Sequence, residues 1–208
     1  MQTWIYACHL HNSILGISYE GAIGIWPLVF PDTPPPNEGL REILPATIYP
    51  TSLTLFPSVI QKVIKAEKEW LILGNNIINQ LQVTIDGLQI SDYLTIKNTT
   101  DIAYHAGNLL VSTINGEIKE YHCKDLVHNY EGLEMRISRI AVNDNILIAG
   151  STLGEVAVID WNTKQILHYI YPSLGISSDI KLPLSKSDCI TALMITSSWA
   201  VYRLLANC

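Results

Sequence analysis

One strand–turn–strand unit recurs along this chain, and it constrains the fold more than any other feature. In ILIAGSTLGEVAVIDWNTKQIL, Ile146 to Leu167, an apolar run meets a tight turn ending in glycine, and a second run closes on Ile-Asp-Trp. A polar turn and a third run follow. The same form stands in SILGISYEGAIGIWPL (Ser13–Leu28), WLILGNNIINQLQV (Trp70–Val83) and NLLVSTINGEIKEYHC (Asn108–Cys123). Aligned on Gly21, Asn76, Gly116 and Gly154, the copies lie 55, 40 and 38 residues apart. The last two spacings define a repeat of about 40 residues. The first is stretched by an insertion over residues 30–50 containing FPDTPPPNEGLREILP (Phe30–Pro45), whose prolines cannot donate to a sheet ladder and so must loop out of it.

The runs are short, rich in Ile, Val, Tyr and Trp, and bounded by Gly, Asn, Asp and Pro, which is the signature of strands. Asn115-Gly116 predicts a type I′ hairpin turn, because both central residues of that turn need positive φ. A further apolar stretch precedes each hairpin (TWIYACHL, SVIQKVIKA, TTDIAYHA, ISRIAV) and another follows (LQISDYL, DLVHNYEG, QILHYIYP), giving four strands per unit. In the first unit Tyr49, Leu53, Leu55 and Phe56 supply the outer strand. Val59 to Glu69 also fits a helix through Val59, Val63 and Ile64, but is assigned as a strand.

ILIAG and EVAVI are apolar on both faces, as strands covered on both sides must be. Sheets stacked radially bury both faces, whereas a two-layer sandwich leaves one wet. The expected fold is therefore an all-β propeller forming a single domain over 1–208. It has about four four-stranded blades (3–58, 59–94, 95–132, 133–172) and a partial fifth (188–205); either the two ends complete one blade together, or the propeller is incomplete and closed by a partner, or the chain is a truncated product. The strand near Trp199 to Leu205 is the edge expected to pair in trans.

These units resemble those of the WD-repeat family of β-propellers, in which a small-residue strand, a turn ending in Gly and a strand closing on Trp-Asp follow in order. Trp26, Tyr121 and Ile159-Asp160 occupy the closing place, with Trp161 one step late. No blade has the Gly-His dipeptide of that family, so its buried hydrogen-bond network does not carry over and hydrophobic packing is expected to brace the blades. The resemblance implies a non-enzymatic scaffold that docks other subunits of a multiprotein complex through its loop faces and rim.

Composition narrows the alternatives. With 48% hydrophobic and 15% charged residues the chain is no disordered tail. A net charge of −6 with thirteen scattered Lys and Arg disfavours a nucleic-acid partner. MQTWIYACHLHNSILG lacks the charge pattern of a signal peptide, and the apolar stretch Cys189 to Tyr202 is too short for a membrane helix. A cytoplasmic or nuclear protein without membrane insertion is expected, with Cys8, Cys123, Cys189 and Cys208 as free thiols.

No G-x-S-x-G, G-x-x-x-x-G-K-[ST] or H-E-x-x-H motif is present, and no catalytic, cofactor or metal residue is assigned. His9 and His11 share a strand face but lack further ligands, and His122, Cys123 and His128 match no familiar metal spacing. Asp101, Asp144 and Asp188 stand near the starts of inner strands, where a propeller enzyme or small-ligand binder, the alternative reading, would place acids in its channel. An Asp beside a turn more often bonds its own backbone. Pro31 to Pro36 meets a minimal PxxP pattern and reads as a spacer.

Overall fold

The computed structural model describes residues 3–28, 50–170, 188–195 and 201–207. Blade 1 comprises β1 (Trp4–Leu10), β2 (Ser13–Ser18), β3 (Ala22–Pro27) and β4 (Ser52–Leu55). Blade 2 comprises β5 (Lys62–Ala66), β6 (Glu69–Gly74), β7 (Ile77–Thr84) and β8 (Gly87–Thr95). Blade 3 holds β9 (Thr99–His105), β10 (Asn108–Thr113), β11 (Ile118–His122) and β12 (Asp125–Tyr130). Blade 4 holds β13 (Ile137–Val142), β14 (Ile146–Ser151), β15 (Val156–Asp160) and β16 (Ile166–Ile170). Each blade is an antiparallel meander with its strands in chain order, and β17 (Asp188–Ile195) pairs with β18 (Val201–Asn207) in a two-stranded sheet. The first strands face the centre: β9 lies between β5 and β13, and β17 lies against β13 and β14. The ambiguous stretch resolves as strand, since Lys62–Ala66 pairs with β6.

Successive blades bury their facing sides in three cores. Leu15, Ile17, Ile23 and Ile25 of blade 1 meet Trp70, Ile72 and Leu81 of blade 2. Leu71, Leu73 and Ile78 meet Ile102, Leu109 and Val111 of blade 3. Ala103, Leu110 and Ile118 meet Leu147, Ala149, Ala157 and Ile159 of blade 4. Both faces of β14 are buried, one in that third core and the other through Ile146 and Ile148 packed with Val156. Radial stacking is therefore why this strand shows no polar alternation.

Blade 1 departs from the expectation that both sides are covered. On its face away from blade 2, Trp4, Ile14, Leu53 and Leu55 are exposed among the described residues. Trp4 and Trp26 meet edge to face, with centroids 5.1 Å apart. The paired Gly16 and Gly24 lie beneath them, and a Cβ at Gly24 would stand 2.5 Å from the Trp26 ring. Those strand glycines give the aromatic rings room to lie on the sheet.

The turn chemistry also departs from the sequence reading at one place. Gly116 has φ +87°, but Asn115 does not share a positive φ. Gly116 N–H donates to Thr113 O (3.2 Å) and Thr113 N–H donates to Glu117 O (2.9 Å), a three-residue loop in which a turn ends in a left-handed glycine and a bulge. Ser151 and Gly154 repeat this bond for bond, and Gly21 N–H likewise donates to Ser18 O (3.2 Å). The paired positive φ of a type I′ turn occurs instead at Asn75-Asn76, Ala106-Gly107 and Cys123-Lys124.

These glycines also sit where the link to the next blade crosses. A Cβ at Gly116 would stand 2.3 Å from Leu133 O and 2.7 Å from Met135 O, and one at Gly21 would stand 2.7 Å from Phe56 O. Gly132 has a similar φ of +82° but nothing within 4 Å of its added Cβ, which separates the two effects. Gly132→Ala is expected to cost about 1 kcal/mol through backbone strain alone. Gly116→Ala should cost at least twice that, read as the shift in urea unfolding midpoint. Equal losses would show that the crossing carbonyls yield freely.

Candidate functional site

The site grows from the three glycine turns. Each begins with a hydroxyl residue, Ser18, Thr113 or Ser151. Its side-chain oxygen accepts the N–H of the residue just past the glycine: Ala22 at 2.9 Å, Glu117 at 3.3 Å and Glu155 at 3.0 Å. The next residue, Tyr19, Ile114 or Thr152, donates its N–H to the residue just ahead of an inner strand. The acceptors are Thr3 O (2.7 Å), Asn98 O (3.0 Å) and Arg136 O (3.0 Å). Both ends of each loop are thus tied down. In blade 2 the two-residue turn bonds instead to the start of the next blade's inner strand, with Asn76 Oδ1 accepting Thr99 N–H at 3.0 Å.

Residues of these clamped turns line one cavity together with the starts of inner strands. Its volume is about 600 Å³, with Tyr19, Ile114 and Thr152 on its rim. Its walls come from the starts of three inner strands: Gln61 and Lys62, Thr99 to Asp101, and Ile137 to Arg139.

Asp101 lies at the bottom, 1% exposed, with Lys62 Nζ 2.7 Å from its Oδ1. Its Oδ2 accepts the N–H of Ile140 at 2.8 Å, and its carbonyl accepts Ser112 Oγ–H at 3.3 Å. One carboxylate therefore links the innermost strands of blades 2, 3 and 4. An unpaired buried charge would cost several kcal/mol, so the ion pair and the amide donor are what make its position tenable.

A second polar link joins blades 3 and 4. Glu120, buried, accepts Asn108 Nδ2–H at 2.6 Å, Tyr130 O–H at 3.1 Å and Lys164 Nζ–H at 2.8 Å. The Lys164 ammonium also lies 3.6 Å from the centroid of the Trp161 ring. Hydrophobic packing is thus not the sole brace: a polar network of different composition serves where the Gly-His pattern is missing.

Of the acids singled out from sequence, Asp101 lines the cavity. Asp144 is 92% exposed, in the β13–β14 turn, and lies 3.4 Å from His105 Nε2. Asp188 begins β17. His9 and His11 are exposed, and His11 sits in a turn with φ 47°. His122 Nδ1 hydrogen-bonds Asn108 Oδ1 (2.9 Å), Cys123 is exposed in a turn, and His128 stacks edge-on against Tyr130. Among the described residues no three His, Cys, Asp or Glu side chains gather to hold a metal. Pro31 to Pro36 and Trp199 lie outside the described residues.

Lys62, Arg139 and the rim of the cavity escaped the sequence reading. Their signal was the hydroxyl residue three places before each turn glycine, which marks the clamped loops but not the inner strands they face.

The fold defines a class: this is a WD40-like β-propeller fold, built here of four four-stranded blades and a two-stranded sheet among the described residues. It resembles solved propeller structures at low identity. Hsv2 from Kluyveromyces marxianus matches at 11% identity and TM-score 0.56 over 81% of this chain and 52% of its own. Hsv2 from Kluyveromyces lactis matches at 11% and TM-score 0.55, over 82% and 51%. The computationally designed Ika4 protein matches at 12% and TM-score 0.52, over 76% and 91%. The chain spans about half the length of the Hsv2 chains. No family model and no curated protein matches it.

The blade interfaces make the fold sensitive to alkali. Burial pushes the Tyr130 phenol well above its ordinary value near 10, and the Glu120 carboxylate adds to the shift. Tyr6, Tyr93, Tyr104 and Tyr121 are raised in the same direction, burial first. The neutral phenols favour the folded chain, so their contribution is complete below pH about 10 and is lost as pH rises further. Unfolding free energy measured from pH 8 to 11 should fall at the upper end, and less steeply in Tyr130→Phe. A flat profile in the unsubstituted chain would contradict this.

Proposed function

We propose that this chain is a non-enzymatic interaction module that docks another protein at the rim of this cavity, as a subunit of a larger complex in the cytoplasm or nucleus. The observation that carries the reading is the rim. Tyr19 and Ile114 line the cavity and are 48% and 42% exposed, and Leu153, next to the rim residue Thr152 on the third loop, is 66% exposed; the ends of all three loops are held by hydrogen bonds. Apolar and aromatic side chains on a preorganised framework bind with little ordering cost, and such residues dominate interface energetics.

The alternative, a channel enzyme, has less support. Asp101 is the one carboxylate among the described lining residues, and an ion pair and a backbone amide already engage it. A general base would need that charge for its substrate.

The test is affinity capture from cell extract with quantitative mass spectrometry, comparing the full chain with the triple variant Tyr19→Asp, Ile114→Asp, Leu153→Asp. At least one captured protein should fall tenfold or more in the variant while circular dichroism stays unchanged. Capture that ignores the substitutions, or a full chain that captures nothing, would refute docking at this face.

A further inference from the structure

We propose that this chain pairs with a second copy of itself through the open face of blade 1, the side turned away from blade 2. The contact uses residues other than those of the cavity rim, and neither surface depends on the other.

The other blades show what such a face takes. The second strands β2, β6, β10 and β14 end on Ser18, Gly74, Thr113 and Ser151. Four and two places earlier stand Ile14 and Gly16 in blade 1, Trp70 and Ile72 in blade 2, Leu109 and Val111 in blade 3, and Leu147 and Ala149 in blade 4. In blades 2, 3 and 4 each of these pairs lies in the core shared with the preceding blade. There Trp70, Leu109 and Leu147 are 4%, 1% and 0% exposed, whereas Ile14 is 38% exposed. The cover is in every case the apolar face of another blade. On the opposite side of these strands Leu15, Leu71, Leu110 and Ile148 are all buried. Among the described residues the face of blade 1 is thus the apolar blade face left open, and it is the one a second copy can offer without opening a core.

Its composition suits that contact. Directly opposite residues on paired strands share a side, so the register sets Ile14 beside Trp26, and Gly24 between Gly16 and Leu53. None of these is charged, so the net charge of −6 on each copy is not concentrated where they would meet. The Trp4 and Trp26 rings are held over the glycines: a Cβ at Gly16 would stand 2.8 Å from Trp26 and 3.2 Å from Trp4. Rings already fixed by the sheet lose little freedom on association, and tryptophan is among the residues that dominate interface energetics. Strands about 4.8 Å apart, rising about 3.3 Å per residue, give this blade a face of roughly 350 Å². That is under half of the roughly 800 Å² each partner gives a standard interface, which places the pair among weak, reversible dimers. The same surface on both copies makes the contact isologous, so assembly closes at two.

Sedimentation velocity on the purified full chain, from about 1 μM to a few hundred micromolar, tests this directly. A monomer–dimer equilibrium is expected, with Kd on the order of 10 μM. Leu53 and Leu55 are 59% and 73% exposed on β4, so charge there leaves the cores untouched. The double variant Leu53→Glu, Leu55→Glu should weaken the dimer at least tenfold while its circular dichroism and thermal melt match the unsubstituted chain. Leu55→Arg alone, expected to act in the same direction, serves if the double variant folds poorly. Leu126→Glu, at an exposed apolar position on blade 3, should leave Kd within twofold, as should the triple rim variant. A monomer throughout the range, a dimer that ignores charge at Leu53 and Leu55 in folded variants, or assembly that continues past two would overturn the pairing. So would a dimer lost in the rim variant but kept in the blade 1 variants, since association would then run through the cavity rim.

Discussion

The Asp101 carboxylate is buried at the meeting point of three inner strands, and the geometry of the centre depends on how its charge is satisfied. Lys62 comes from β5, the Ile140 amide from β13, and the carboxylate from β9 between them. Aliphatic packing is non-directional and tolerates sliding of one sheet over the next. A charge that must be met from both sides does not, so it fixes the relative register of three blades. The same requirement draws Lys62 to the cavity wall.

The glycine turns act in the same way one layer further out. Each hydroxyl–glycine loop folds on its own bonds, and its first residue then ties to the residue ahead of an inner strand. Local hydrogen bonding thus becomes a contact within the blade, and the crossing of the next link over Gly21 and Gly116 extends it between blades. The rim inherits that rigidity. Glu120, Lys164 and Tyr130 secure blades 3 and 4 by a separate polar contact.

How much of this was legible varied by residue. The strands and their fourfold grouping could be read because Gly, Asn and Pro punctuate runs of Ile, Val and Tyr at a steady period. Asn115-Gly116 was recognised as a turn but given the wrong type, since the dipeptide permits I′ geometry without requiring it. Thr113 two places earlier offered its hydroxyl and carbonyl to a different loop. Asp101 was noticed as an acid near an inner strand, but its partners lie 39 residues either side of it, on other blades. No local pattern announces a contact at that distance.

The sequence by itself determined the strands, the turns between them and the apolar character of both faces of the inner hairpins, because these follow from backbone freedom and side-chain period within a few residues. Tertiary structure alone decided which acid is buried and which is exposed. It also decided which loops converge on one cavity. Those outcomes depend on the stacking of separate sheets, which brings together residues that have no reason in the chain to be neighbours.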